Sequence, residues 1–179
     1  NSLGKKVLLT GKGRCNITNS ASLEEFMVRF GKQGQFLRSA FQAFSNHDLI
    51  DFFENRGLKM KTERQGRVFP ETDKSSSVVR LLRESLLDNK VHLLYDARLK
   101  SLQTKDVIFN LKMEDGRHIQ AKKVILATGG ASYKDTGSTG DGFRIAKELG
   151  HTIIPLSPAL VPLRTRESWV KKVQGLTLK

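Results

Sequence analysis

The tightest constraint on the fold is a four-residue run followed by a break. Val124-Ile125-Leu126-Ala127 is continuously apolar, and Thr128-Gly129-Gly130 ends it. An apolar run without alternation suits a strand buried on both faces, as in a parallel sheet covered by helices. Glycines at its carboxyl end let the backbone turn sharply. In open α/β sheets that end is where ligands bind, because the loops diverge there. A second glycine-rich loop, Gly137-Ser138-Thr139-Gly140-Asp141-Gly142, precedes a helix of about eight residues that stops at Gly150. His151-Thr152-Ile153-Ile154 reads as a further strand. Strands alternating with helices, together with a meander earlier in the chain, predict an α/β or α+β class.

The first 57 residues read differently. Ser22 and Glu25 have capping-box spacing and open a short helix that stops at Gly31. Phe36, Leu37, Ala40, Phe41 and Phe44 share one helical face between about Gln35 and Phe44. Asn46 is placed to cap a third helix, with Asp48 in its first turn and Gly57 at its end. Aromatic residues at this spacing predict a helical core rather than a ligand cage. Leu58, Met60 and Thr62 alternate as a short strand, Arg64 to Arg67 form its turn, and Val68-Phe69-Pro70 follow. Helical periodicity returns from Ser76 to Leu87. From about 91 to 122, apolar alternation around the hairpin signal Asp115-Gly116 predicts a small antiparallel meander.

Composition narrows the functional classes. The net charge is +13, which attracts polyanions or phosphorylated ligands. No acid precedes Glu24, whereas Lys5, Lys6, Lys12 and Arg14 are all basic; elsewhere the charges are mixed, as on a solvated surface. That mixing argues against a nucleic-acid module, which remains the alternative reading. A single cysteine excludes an intrachain disulfide framework. No run approaches the roughly eighteen apolar residues of a membrane span, so no membrane role is expected. No secretory signal is visible, and the expected location is cytoplasmic. The four histidines are widely spaced, with no metal-binding pair.

The segments that could carry chemistry are turns. Thr10-Gly11-Lys12-Gly13-Arg14-Cys15-Asn16 offers two glycines and two cations, suited to a phosphate or an anionic ring edge, although a plain basic turn explains it equally. The Ala127-Thr128-Gly129-Gly130 junction and the loop containing Gly137, Ser138, Thr139, Gly140 and Asp141 are the other two. Asp141 or Thr139 reads first as a helix cap. Gly31-Lys32-Gln33-Gly34 loosely matches the backbone clamp of KH domains, but a turn between helices accounts for both glycines. Cys15 lies among basic residues, yet a lone cysteine is more often a small buried filler.

GKKVLLTGKGRCNITN, AFSNHDLIDFFENRGL, GRVFPETDKSSSVV and VILATGGASYKDTGSTGDGFRIAKELGHTIIPLSPALVPL, in that order, resemble successive blocks of the HI0933-like (YhiN/BaiN-type) flavoproteins, a family of NAD(P)/FAD-dependent oxidoreductases. The resemblance covers nearly the whole chain. It implies a partial FAD-binding, glutathione-reductase-like Rossmann fold over residues 1–163, with a helical segment at about 22–57 and the meander at about 91–122. Residues 164–179 would begin a truncated inserted domain. It also implies that the chain starts after the family's strand–GxGxxG–helix unit and ribose-gripping acid, and stops before the C-terminal return to the flavin.

The resemblance places Lys6, Thr10, Gly11, Gly13, Arg14, Cys15 and Asn16 in or beside the FAD pocket. It adds Leu99, Ala127, Thr128, Gly129, Gly130, Gly137, Ser138, Thr139, Gly140 and Asp141. Lys12 stands where the family usually has glycine. The implied partners are FAD, NAD(P)H as hydride donor and an undefined small-molecule substrate; no residue is singled out as acid or base. Since the first glycine turn supplies the main pyrophosphate site, the isolated chain is expected to bind FAD poorly. A sheet without its central strand is also expected to self-associate through exposed edges.

Overall fold

The computed structural model describes residues 3–157 and 165–173. The chain opens with α1 (Lys5–Leu9) and a tight 3-10 turn at Thr10–Gly13. Gly11 and Lys12 in that turn both take left-handed dihedrals, φ 56° and 57°. The lysine thus keeps the conformation that glycine would adopt freely. After β1 (Thr18–Asn19), the expected capping box opens α2 (Leu23–Arg29): the Glu25 amide donates to Ser22 Oγ, and the Ser22 amide donates to the Glu25 carboxylate at 2.7 Å.

α3 (Gly34–Ala43) and α4 (Asn46–Glu54) follow. The cap of α4 is Ser45, not Asn46: Ser45 has extended dihedrals and forms a reciprocal box with Asp48. Asn46 is buried one position inside the helix, and its amide donates to the carbonyls of Asn19 at 2.7 Å and Ala21 at 3.0 Å. It ties α4 to β1. Gly34 is also buried, and a Cβ there would lie 2.3 Å from the Met27 carbonyl oxygen. The second glycine of the KH-like tetrapeptide is therefore explained by close approach of α2 and α3.

β2 (Met60–Thr62) and β3 (Arg67–Pro70) complete a three-stranded antiparallel sheet in the order β1-β3-β2, with Val68 opposite both Thr18 and Thr62. α5 (Ser75–Asp88) covers it. The core gathers Cys15, Phe53, Leu58, Val78 and Leu81, flanked by Val7, Ile17 and Met60. Helical stripes and strand faces read from the sequence meet in this cluster.

β4 (Leu99–Lys105), β5 (Ile108–Met113) and β6 (His118–Ala121) form the meander. It begins at Leu99 rather than near 91. The Val91 amide instead closes the end of α5 on the Leu86 carbonyl at 2.9 Å, and Val91 to Arg98 lie outside the sheet. Asp115-Gly116 turns as expected; the other hairpin turn, at Asp106-Val107, lacked a glycine to announce it.

The two apolar runs that opened the sequence reading are not strands. Residues 124–130 pair with no strand among those described, and Ile125 is 92% exposed. Residues 151–154 are likewise irregular, with Ile154 78% exposed. A doubly buried strand needs ladder partners at both edges and cover on both faces, and the described residues supply neither. The result is a mixed α/β chain with two small antiparallel sheets and no parallel sheet among the described residues. α6 (Asp141–Glu148) ends near Gly150 as expected. Ser168–Val173 forms short 3-10 turns, and the rest of the expected inserted segment, residues 164–179, lies outside the described residues apart from 165–167. No described helix is long and apolar enough to cross a membrane.

Candidate functional site

Two of the three glycine turns interlock. The Gly140 amide donates to the Gly130 carbonyl at 3.2 Å. Ser138 is buried, with its hydroxyl 3.0 Å from where a Gly129 Cβ would stand. A Cβ on Gly142 would come within 2.3 Å of Thr128 Oγ1, so only glycine fits that contact without displacing Thr128. Ala127 and Thr128 are exposed on the extended approach to this junction.

The acid of the second loop has a partner that the local sequence did not reveal. Arg98, immediately before Leu99, grips the Asp141 carboxylate with Nε at 2.8 Å and Nη2 at 3.1 Å. Thr139 Oγ1 donates to the same carboxylate at 2.9 Å. The Arg98 hydrogen bond, then that of Thr139, holds the Asp141 carboxyl below its ordinary range, with partial burial opposing the shift. Gly140 has φ 88° and caps α6 without a side chain, while Asp141 occupies the first turn. Its carboxylate already answers the positive end of the helix dipole. Leu99 itself is half-buried in β4, opposite Met113. Arg144, from α6, also donates to the Lys100 carbonyl at 3.0 Å, so α6 is fastened both to β4 and to the residue that precedes it.

The helix before the first turn reaches this pair through one residue. Lys6 Nζ donates to the Ser132 carbonyl at 2.7 Å, from α1 across to the loop after Gly130. Thr10 is spent on the end of α1, its hydroxyl donating to the Val7 carbonyl at 2.8 Å. Gly11 packs against Asn16 and the Phe69 ring, whereas the Cα of Gly13 faces open space. Arg14 donates to Glu63 at 2.8 Å and Asp73 at 3.4 Å, and its guanidinium carbon lies 4.2 Å above the Phe69 ring. Hydrogen bonding to Glu63 chiefly holds the Arg14 pKa up, against the opposing effect of burial. Lys61 meets Asp73 from the other side, and that contact chiefly keeps the Asp73 carboxyl low. Cys15 is buried in the core, with φ 64°. It is the small filler, facing away from the turn's open surface.

Thus Lys6, Gly129, Gly130, Ser138, Thr139, Gly140 and Asp141 lie together, with Gly137 at φ 94° beside them. Gly11, Arg14 and Asn16 form a separate wall against β3, with Thr10 and Gly13 in the same turn. Arg98, Glu63 and Asp73 were missed because each acts across more than forty residues of sequence, where spacing carries no signal. Among the described residues there is no group of His, Cys, Asp and Glu that could hold a metal ion.

The model of the HI0933-like protein Rossmann domain matches residues 1–176. The chain belongs to this family. Among curated relatives, the 3-dehydro-bile acid delta(4,6)-reductase of Clostridium scindens is 36% identical over 97% of this chain and 42% of its own length. The ribosomal RNA dihydrouridine synthases of Escherichia coli and Haemophilus influenzae are 27% and 26% identical, over 97% and 98% of this chain and 42% and 44% of theirs. The chain therefore spans well under half the length of these HI0933-like relatives. The family match agrees with the resemblance carried by the glycine blocks.

Proposed function

We propose that residues 1–163 contribute part of the FAD-binding domain of a flavin-dependent reductase, and that residues 164–179 open its inserted domain. The observation that carries the reading is the interlock of the Gly129-Gly130 turn with the Gly137–Gly142 loop, tied to α1 by Lys6. A flavin, when bound, accepts a hydride from NAD(P)H and delivers it to a substrate.

The chain's residues fit some portions of that cofactor better than others. A Cβ at Gly13, Gly130 or Gly137 would meet nothing, so a ligand could approach the backbone closely at all three. Asp141 is a pure acceptor held in place by Arg98 and Thr139, which suits a sugar or polyol hydroxyl. The same carboxylate makes the start of α6 a poor place for pyrophosphate. Lys12, exposed on a left-handed turn, offers a cation to an anionic ring edge. Arg14, clamped by two carboxylates, braces that turn from behind, and Cys15 anchors it in the core. Leu99 supports the adenine side from the start of β4, next to Arg98.

The alternative, a basic nucleic-acid module, has weaker support. Arg14, Arg38, Lys61, Arg98, Arg117 and Arg144 are all ion-paired, which reduces the charge free to meet phosphates. The relatives' names divide between a bile acid and ribosomal RNA as the molecule acted on, so they leave the substrate class open.

Flavin titration followed by absorbance and fluorescence tests the proposal on this chain and on a longer protein, this chain extended at both ends to the length of its relatives. The longer protein is expected to hold flavin stoichiometrically, and Gly142→Ala to weaken it about tenfold or more by displacing Thr128. This chain alone is expected to hold FAD weakly. A longer protein that never takes up flavin overturns the redox reading; stoichiometric flavin on this chain alone overturns only the expected weakness.

A further inference from the structure

A broad cleft lies away from the interlocked glycine loops. It has a volume of about 930 Å³, within the size of small-molecule sites, and opens between α2 and the turn that precedes β3. Phe26 and Phe30 form its apolar wall, and Phe30 is 47% exposed. Arg29 and Arg67 both line it. Arg29 makes no hydrogen bond or ion pair among the described residues, though its charge helps to hold the Glu25 carboxyl low. Arg67 spends Nε on the Arg64 carbonyl at 3.2 Å, and its guanidinium carbon lies 5.8 Å from the Phe69 ring centre. The acid of the cleft, Glu25, is held at the helix cap by the Ser22 amide and hydroxyl, at 2.7 and 2.9 Å. Cations thus outnumber carboxylates beside an exposed ring.

Arg67 also borders a second cleft, of about 390 Å³, whose other walls include Gly11, Lys12 and Phe69. One side chain therefore separates the turn assigned to the flavin from the larger cleft. We propose that the cleft between α2 and β3 is the substrate site of this chain, taking a flat apolar body that bears an acid group. The ring system lies against Phe30, and Arg29 and Arg67 receive the anion. A guanidinium presents paired donors that match a carboxylate or sulfonate, and an exposed phenyl face receives a rigid apolar surface. The substrate role rests on the flavin reading; the binding chemistry does not.

Two probes with similar ring systems test it by fluorescence titration of the full chain without flavin: anilinonaphthalene sulfonate, which is anionic, and N-phenyl-1-naphthylamine, which is neutral. The sulfonate is expected to saturate and to bind about tenfold more tightly than the amine. Arg67→Gln and Arg29→Gln should each erase most of that preference while leaving the amine unchanged. Phe30→Ser should weaken both probes, and Lys105→Gln, which removes a charge from the distant hairpin tip, should weaken neither. Equal binding of the two probes overturns the proposal, as does sulfonate binding that ignores Arg67→Gln and Arg29→Gln or responds as strongly to Lys105→Gln. The expected probe pattern in a protein whose longer form takes no flavin would remove the redox reading and leave the anion cleft standing; a flavin-loaded longer form whose cleft variants ignore both probes would do the reverse.

Discussion

Phe53 and Ile125 are both large and apolar, yet one is 3% exposed and the other 92%. Phe53 belongs to a region in which α4, α5 and the β1–β3 sheet each present an apolar face to the others. Ile125 belongs to a segment that has the composition of a buried strand but no strand beside it among the described residues. The difference shows that apolar sequence specifies burial only when a complementary surface is within reach. The fully buried side chains tell the same story: Val68 and Phe69 sit in the middle strand of a sheet, and Ile145 belongs to α6, which is fastened to β4 by Arg144 and to the residue just before β4, Arg98, by Asp141.

The sharpest way to break this contrast is in the core. Phe53→Ala removes a ring packed on Phe52, whose centroid is 5.2 Å away, and on the Cys15 cluster. It should cost about 3–5 kcal/mol in denaturant unfolding. A loss no larger than that of a surface substitution would show that the first region is not the stabilising one.

A smaller effect is expected from the joint between β4 and α6. Because Asp141 titrates lower in the folded chain than unfolded, it contributes stability that is fully present above the ordinary carboxylate range. That contribution is lost as pH falls through the lowered value. Between about pH 5 and pH 3, wild type should therefore lose more stability than Asp141→Asn, by a fraction of the Phe53 effect. Parallel acid curves for the two proteins would show that the joint contributes nothing. The smallest effect is expected at the exposed run, where Ile125→Ser should change unfolding by no more than about 0.5 kcal/mol. A core-sized loss there would mean that the segment is buried in solution and that the two regions are alike.

Much of the local structure was legible because its causes are local. Ser22 and Glu25 sit three residues apart and cap α2; Asp115-Gly116 turns between β5 and β6; Gly150 follows α6. The Ser45 cap lay one residue from the expected Asn46, because the cap is chosen by backbone conformation and by which side chain the neighbouring strand recruits. Within the candidate site, the glycine turns were visible as glycines, but Arg98 on Asp141 and Glu63 on Arg14 were not. Those ion pairs depend on where whole elements pack.

The amino-acid sequence alone determined which segments bend, cap and alternate, since dihedral preference and hydrogen bonding to the next turn act within a few residues. Tertiary structure decided the rest: that Cys15 faces the core, that two glycine turns interlock, that Arg67 stands between two clefts, and that Val124–Ala127 is irregular and joins no sheet among the described residues. Each of these depends on a surface supplied from elsewhere in the chain, and burial is a property of the pair of surfaces rather than of either one.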